Sequence, residues 1–229
     1  MQKEYVRRLF DSIAFRYDLL NHLLSGGLDL YWRRAAIGML ESSKPKRILD
    51  VATGTGDLAI ASLRLNPVEV VGVDISTLML EIGKRKIEAR EATEVIHLQE
   101  GEAEHLQFPD ARFDAAIVAF GARNFENLPA GLKEMHRVLK TAGKIVVLEF
   151  SRPRTFPFKY LYFLYFRNIL PLVGRAISKD KEAYQYLPDT VMAFPDGKEF
   201  AGILRQAGFS SVTERTLTFG IVTIYCGEK

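Results

Sequence analysis

The sequence predicts an α/β fold: a mainly parallel sheet of seven strands with helices on both faces. Two observations carry this. From Arg47 to Glu149, short apolar runs alternate with stretches of helical pattern. Parallel strands need crossover helices and are buried on both faces, so they read as continuous apolar runs. After a long insert, residues 211–226 read as two strands joined tightly through Phe219-Gly220, which adds a C-terminal antiparallel closure.

The elements follow in order. Residues 1–40 have a helical pattern, with Phe10, Ile13, Ala14, Tyr17 and Leu20 on one face. Ser25-Gly26-Gly27 interrupts it, and a second helix covers Leu30–Met39. Ser42-Ser43-Lys44-Pro45 links into the core. The chain therefore divides into a helical cap over 1–45 and a main domain over 46–229. Strands are expected at Arg47–Val51, Val68–Asp74, Val95–Glu100, Arg112–Phe120 and Lys144–Glu149. Helices are expected at Gly56–Leu65, Leu78 to Arg90, and Leu128–Leu139, with Thr141-Ala142-Gly143 turning into the fifth strand. Residues 151–195 form an insert. A helix over Gly197–Ala207 precedes the closing strands Ser211–Thr218 and Ile221–Cys226.

Composition narrows the function. With 229 residues and 48% hydrophobic content, the chain can bury one sizeable core. It has 31 basic and 28 acidic residues, a balance too even to favour nucleic acid as a partner. The run Lys84-Arg85-Lys86 is broken by Ile87-Glu88 and reads as a solvated helix face. The single cysteine, Cys226, makes neither an intrachain disulfide nor a zinc cluster, and His22, His97, His105 and His136 are scattered, so no metal is expected. The first residues have no apolar core of the signal-peptide type, and no uncharged run is long enough to span a membrane. A reducing, cytoplasmic setting is expected. A homo-oligomer is compatible with the sequence, which does not set the oligomeric state.

The chemistry begins at Ile48–Ala59. An apolar strand ends in Asp50-Val51-Ala52-Thr53, and Gly54-Thr55-Gly56 opens a helix. Glycines let the backbone approach a ligand, and the helix start offers unpaired N–H donors. Asp74 ends the second strand, 18 residues beyond Gly56, where an acid can accept ribose hydroxyls. Its other reading is a cap for the next helix. Dinucleotides and S-adenosylmethionine both use this geometry, and three details favour the latter. Ala59 stands at the third glycine position. Asp50 would repel a pyrophosphate but suits a cationic amino group. Gly101-Glu102-Ala103-Glu104 puts polar groups at an adenine rim, where Glu102 can accept from the amino group and Ala103 can offer its N–H.

Two places can supply the acceptor side. Ala119-Phe120-Gly121-Ala122-Arg123-Asn124-Phe125 ends the fourth strand. Arg123 and Asn124 there can steady an oxyanion, or Arg123 can pair a nearby acid and Asn124 cap a turn. The insert crowds Phe156, Phe158, Tyr160, Tyr162, Phe163, Tyr165 and Phe166 into 11 positions, interrupted by Lys159 and Arg167. It reads as an amphipathic lid, a membrane-interface segment, or a hairpin completing the core. Tyr184 and Tyr186 follow it, as a phenol near the acceptor or as a core-edge pair. Phe10–Ala14 and Tyr17-Asp18 can cap the cofactor pocket.

These residues resemble the class I S-adenosylmethionine methyltransferases, and within them the menaquinone/ubiquinone biosynthesis C-methyltransferases. The resemblance covers essentially the whole chain. Besides the glycine turn it rests on Phe10–Ala14, Tyr17-Asp18, Trp32-Arg33, Val71–Ser76, Phe120–Asn124, Arg137–Lys140 and Tyr186-Leu187-Pro188. It implies a Rossmann-like fold and a cofactor held by Asp50, Thr53, Gly54, Thr55, Gly56, Asp74, Ile75, Glu102, Ala103 and Ala119. Ala119 replaces a serine common in the family, so contact there must be made by backbone. Arg123, Asn124 and Tyr184 are the implied catalytic residues, acting on a phenolate. The implied acceptor is a prenylated quinol, most directly demethylmenaquinol, met through peripheral contact with the inner face of the membrane. The ubiquinone-pathway methoxy-benzoquinol, another apolar small molecule, a dinucleotide-dependent oxidation and a non-enzymatic membrane scaffold are the competing readings.

Overall fold

The computed structural model describes residues 3–154, 156–164 and 181–229. Two helices lead, α1 (Lys3–Ser25) and α2 (Leu28–Gly38). The core then runs β1 (Arg47–Val51), α3 (Asp57–Ser62), β2 (Glu69–Asp74), α4 (Thr77–Glu88), β3 (Ile96–Glu100), β4 (Phe113–Ala119), α5 (Leu128–Val138) and β5 (Leu139–Phe150). Helices α6 (Phe158–Leu164) and α7 (Lys181–Ala193) belong to the insert, and α8 (Lys198–Gln206), β6 (Ser210–Leu217) and β7 (Val222–Glu228) close the chain.

The seven strands form one sheet in the order β3-β2-β1-β4-β5-β7-β6. β1 to β5 pair in parallel, and β7 runs antiparallel to both of its neighbours. The α/β expectation with an antiparallel C-terminal strand therefore holds. The strand order reverses between β1 and β4, and a crevice opens at the carboxyl ends of strands flanking such a reversal.

Strand periodicity divides the core. Leu49, Val51, Val71, Val73, Ala116, Val118 and Val147 face one side, packing with Leu132, Met135, Phe200 and Leu204 of α5 and α8. Ile48, Val70, Ala115, Ile117, Val146 and Leu148 face the other, packing with Trp32, Ile37, Leu58 and Leu80 of α2, α3 and α4. Successive strand side chains point to opposite faces. That rule sends Asp50 toward α2 and α3 with Ile48, and Glu149 toward the α5 and α8 side with Val147.

Several boundaries differ from expectation. β5 begins at Leu139, not Lys144, because Thr141-Ala142-Gly143 is a bulge within the strand. Ala142 takes φ 62°, and a Cβ on Gly143 would lie 2.7 Å from the Lys140 carbonyl oxygen. The helix after β1 is short and ends in a 3-10 turn over Leu63–Leu65. β4 stops at Ala119, because Phe120 takes φ 57° and turns the chain out of the sheet. The part of the aromatic insert over 165–180 lies outside the described residues.

The tips of β1 and β4 touch closely. Ala52 takes φ 54°, and a Cβ on Gly121 would lie 2.6 Å from the Ala52 Cβ and 3.2 Å from Val118 Cγ2. Neither neighbour is a flexible side-chain end. Gly121→Ala should therefore destabilise the protein by about 1–3 kcal/mol, in the range of overpacking. Adding Ala52→Gly opens the space and removes a side chain from left-handed backbone, so the double variant should recover most of that loss. Urea unfolding of the three variants measures this; a Gly121→Ala protein as stable as the parent contradicts it.

Candidate active site

A cleft of about 700 Å³, open to solvent, lies over the carboxyl ends of β1, β2 and β4. Its floor comes from Ala52 and Gly54 after β1, Asp74 and Ile75 after β2, Gly101, Ala103 and Glu104 after β3, and Ala119, Phe120, Gly121, Asn124 and Phe125 from β4 onward. Its roof is α1, which contributes Lys3, Val6, Phe10 and Tyr17 from one helix face.

The glycine turn is built by backbone. Ala52, Gly54 and Gly56 have φ of 54°, 56° and 79°, and Gly56 N–H donates to the Thr53 carbonyl at 2.9 Å. Asp74 joins this turn to β2. Its Oδ2 accepts from Gly54 N–H at 2.8 Å and its Oδ1 from Ser76 N–H at 2.9 Å. A carboxylate has about four lone-pair sites, so acceptor capacity remains for a diol. Burial raises the Asp74 pKa, against the hydrogen bonds from Ser76 and Gly54. Ser76, not Asp74, caps α4, accepting from Met79 N–H at 3.2 Å.

Asp50 is buried beneath the turn. Its Oδ2 accepts from the Thr53 hydroxyl at 2.6 Å, while Oδ1 meets no donor among the described residues. Gly72 lies opposite Asp50 in the register, and a Cβ there would come within 2.9 Å of Thr53 Oγ1. Burial pushes the Asp50 carboxyl up to about 7; the Thr53 hydroxyl opposes this, Asp74 adds to it and Arg33 opposes it.

Polar contacts hold the roof down. Asp11 accepts from the Ser76 hydroxyl at 2.5 Å. Asp18 accepts from the Thr55 hydroxyl at 2.6 Å and from Lys86 at 2.8 Å, and Lys86 also pairs with Asp57. At the helix start, Lys3 pairs with Glu102 and stands 3.8 Å from Glu104 and 3.9 Å from Glu126. The expected capping role of Phe10 to Ala14 and Tyr17-Asp18 thus has a physical form.

The structure sorts the site residues expected from sequence. Gly54, Asp74, Ile75, Ala103, Ala119 and Asn124 line the cleft. Thr53 supports Asp50, and Thr55 is spent on Asp18, so neither presents its hydroxyl to the cleft. Gly56 packs near Leu98 and Ile87. Glu102 sits on the rim against Lys3, and Glu104 rather than Glu102 lines the wall.

Arg123 is turned into the protein. Its guanidinium donates to Glu149 Oε1 at 2.7 Å and to the Phe120 carbonyl, and lies 5.4 Å from the Phe150 ring centroid. Only 6% of the Arg123 side chain and none of the Glu149 side chain is exposed. The ion-pair alternative, not direct presentation to an acceptor, describes its place. The Tyr184 side chain lies outside the described residues. Its neighbour Tyr186 donates to Asn124 Oδ1 at 2.8 Å and packs its ring against Tyr5 and Phe10. Phe125, in the segment expected on the acceptor side, also lines the cleft, whereas Lys3, Val6 and Met79 are lining residues that the sequence did not single out. The spacing of residues 3, 6, 10 and 17 on one helical face carried the signal for the roof. Among the described residues, no group of His, Cys, Asp and Glu side chains assembles as a metal site.

The profile of the ubiE/COQ5 methyltransferase family matches residues 1–229. The chain belongs to that family. Two relatives extend the likeness over its whole length. A protein of Bacteroides fragilis named demethylmenaquinone methyltransferase is 47% identical, covering 100% of this chain and 94% of the relative. One of Geotalea uraniireducens named ubiquinone/menaquinone biosynthesis C-methyltransferase UbiE is 46% identical, covering 99% and 97%. Among solved structures, a SAM-dependent methyltransferase from Thermotoga maritima superposes with a TM-score of 0.65 at 19% identity, covering 97% of this chain and 99% of that one. This likeness shows the shared fold.

The Asp50 carboxyl makes stability depend on pH. In the unfolded chain it ionises near the ordinary value of about 4, and in the folded protein near 7. Between these values the native state holds a proton that the unfolded chain has lost. Its contribution is therefore fully present below the unfolded pKa and falls as pH rises through the folded one. Asp50→Asn should raise the melting temperature relative to the parent, with a gain that grows from about pH 5 to about pH 8. A gain independent of pH would place the shift elsewhere.

Proposed function

We propose that the protein methylates a ring carbon of a prenylated quinol, with S-adenosylmethionine as methyl donor and demethylmenaquinol as acceptor. The carrying observation is the cleft itself: one end offers Asp74 and backbone, and the other is aromatic and ends at Asn124. The names of the relatives from Bacteroides fragilis and Geotalea uraniireducens support the substrate class.

The residues present fit the donor. Asp74 keeps lone pairs for ribose hydroxyls, Ala103 and Ile75 form an apolar slot for a flat base, and the unpaired Asp50 Oδ1 lies beneath the turn, where a cationic amino group would favour the ionised form of a carboxyl that burial otherwise keeps protonated. When bound, S-adenosylmethionine supplies a sulfonium methyl that passes to the nucleophilic ring carbon, leaving a neutral thioether. The chain's own residues hold and dry the acceptor. Phe10, Tyr17, Phe120 and Phe125 give the ring apolar walls. The Asn124 amide can donate to an ionised ring oxygen, whose electron density activates the neighbouring carbon. The proton from that oxygen leaves to water before transfer, and once the carbon has lost its own proton the oxygen takes one back, so one proton is released in all. Holding the two reactants together lowers the barrier further.

The prenyl tail explains the exposed apolar face of α6. Phe156 just before the helix, Tyr160 and Leu164 recur every four residues at 82%, 66% and 57% exposure, and exposed Phe219 stacks on Phe158 at 3.7 Å. Such a face suits peripheral contact with a membrane, on its cytoplasmic side. No described helix is long and apolar enough to cross one.

The purified protein with methyl-labelled S-adenosylmethionine should label demethylmenaquinol in preference to a methoxy-benzoquinol or a sterol. Label appearing only in another acceptor, or calorimetric binding of a nicotinamide cofactor in place of S-adenosylmethionine, refutes the proposal.

A further inference from the structure

The geometry points to Tyr186 as a positioning residue that orients the Asn124 side-chain amide, so that its N–H donors face the ring oxygen of the acceptor. The quinol reading enters only through the identity of that oxygen.

An asparagine amide has two ends of nearly equal shape, an acceptor oxygen and a donor nitrogen, and the hydrogen-bond network decides which way it points. Asn124 stands in a 3-10 turn over Ala122–Asn124, its own N–H donating to the Gly121 carbonyl at 3.0 Å. The backbone therefore fixes where the side chain starts, but not its flip. Tyr186 supplies the missing constraint by donating its O–H to Oδ1 at 2.8 Å. That ring is itself held, 6.1 Å from Tyr5 and 6.4 Å from Phe10, the latter edge-on. With Oδ1 engaged, Nδ2 is the end left for the cleft, and it donates to no described residue.

Other donors are committed. Of the described side chains lining the cleft, only Lys3, Tyr17 and Asn124 carry donors. Lys3 faces the carboxylates of Glu102, Glu104 and Glu126, and Tyr17 is hydrogen-bonded with Asn21. The Arg123 guanidinium is held by Glu149 and the Phe120 carbonyl. Among the described residues, Asn124 is therefore an amide donor open to an acceptor oxygen. Tyr186 must keep its proton to orient it. Burial pushes its phenol up to about 12, so it stays a donor and does not serve as the base.

The test is a double-mutant cycle with two readouts, on proteins whose circular dichroism and melting curves match the parent. Tyr186→Phe should lower kcat on demethylmenaquinol about tenfold and leave the KM for S-adenosylmethionine unchanged, whereas Asn124→Ala should cost about a hundredfold, the loss of one oxyanion donor. The double variant should equal Asn124→Ala alone, since Tyr186 acts only through that amide. The second readout needs no turnover. Bound 4-methoxy-1-naphthol, followed by its naphtholate absorbance, should ionise at lower pH than the free compound. Tyr186→Phe should reduce that shift, and Asn124→Ala should abolish it. Additive losses, or a naphthol titration indifferent to Tyr186, overturn the inference while leaving methyl transfer intact. A parent protein that shifts the naphthol ionisation but methylates no quinol overturns the function and not the orientation of the amide.

Discussion

The carboxylate of Asp74 couples three parts of the chain that are distant in sequence. Through Gly54 it holds the turn after β1, and through Ser76 it holds the start of α4. Ser76 in turn binds Asp11 on α1, so the roof is referred to the same point. Hydrogen bonds to an ionised acceptor are stronger than neutral ones, and here the donors are backbone groups with no rotamer freedom to lose. The arrangement leaves a turn with left-handed residues standing in a fixed place. Without it, Ala52 and Gly54 would have no reason to keep strained backbone beside the cleft.

The β4 end of the cleft depends on a different device. Arg123 and Glu149 form an ion pair almost wholly removed from water. Such a pair is a weak source of net stability, because desolvation offsets much of the attraction. What it does here is geometric. Glu149 accepts from Arg123 side chain, Arg123 N–H and Phe150 N–H, and the guanidinium also holds the Phe120 carbonyl. The segment from Phe120 to Asn124 is thereby clamped to β5. Phe120 leaves the strand with φ 57° and stacks 4.6 Å from Phe150, which sets it into the cleft wall. A polar residue placed at a strand tip beside a cleft can thus contribute by fixing its neighbours.

Much of this was legible in the sequence. The alternation of apolar runs and helical stretches reflects strands buried on both faces, a property of local pattern. The glycine turn and Asp74 were legible because backbone conformation and strand ends restrict residue type strongly. The bulge in β5 was not, since Ala142 at φ 62° breaks the usual preference and only pairing with β4 and β7 maintains it. The partner of the Thr55 hydroxyl was not legible either: it meets Asp18, 37 residues earlier. Partners so far apart leave no trace in spacing.

The sequence by itself determined the fold class, the end of the sheet where the cleft opens and the residue types gathered there. These follow from short-range rules, namely strand periodicity, glycine freedom and the position of an acid at a strand tip. Tertiary structure alone decided that Tyr186 meets Asn124, that Arg123 points inward to Glu149, and that α1 lies across the strand ends. Each of those outcomes depends on where a side chain from a remote segment arrives, and packing settles that only when the whole chain has folded.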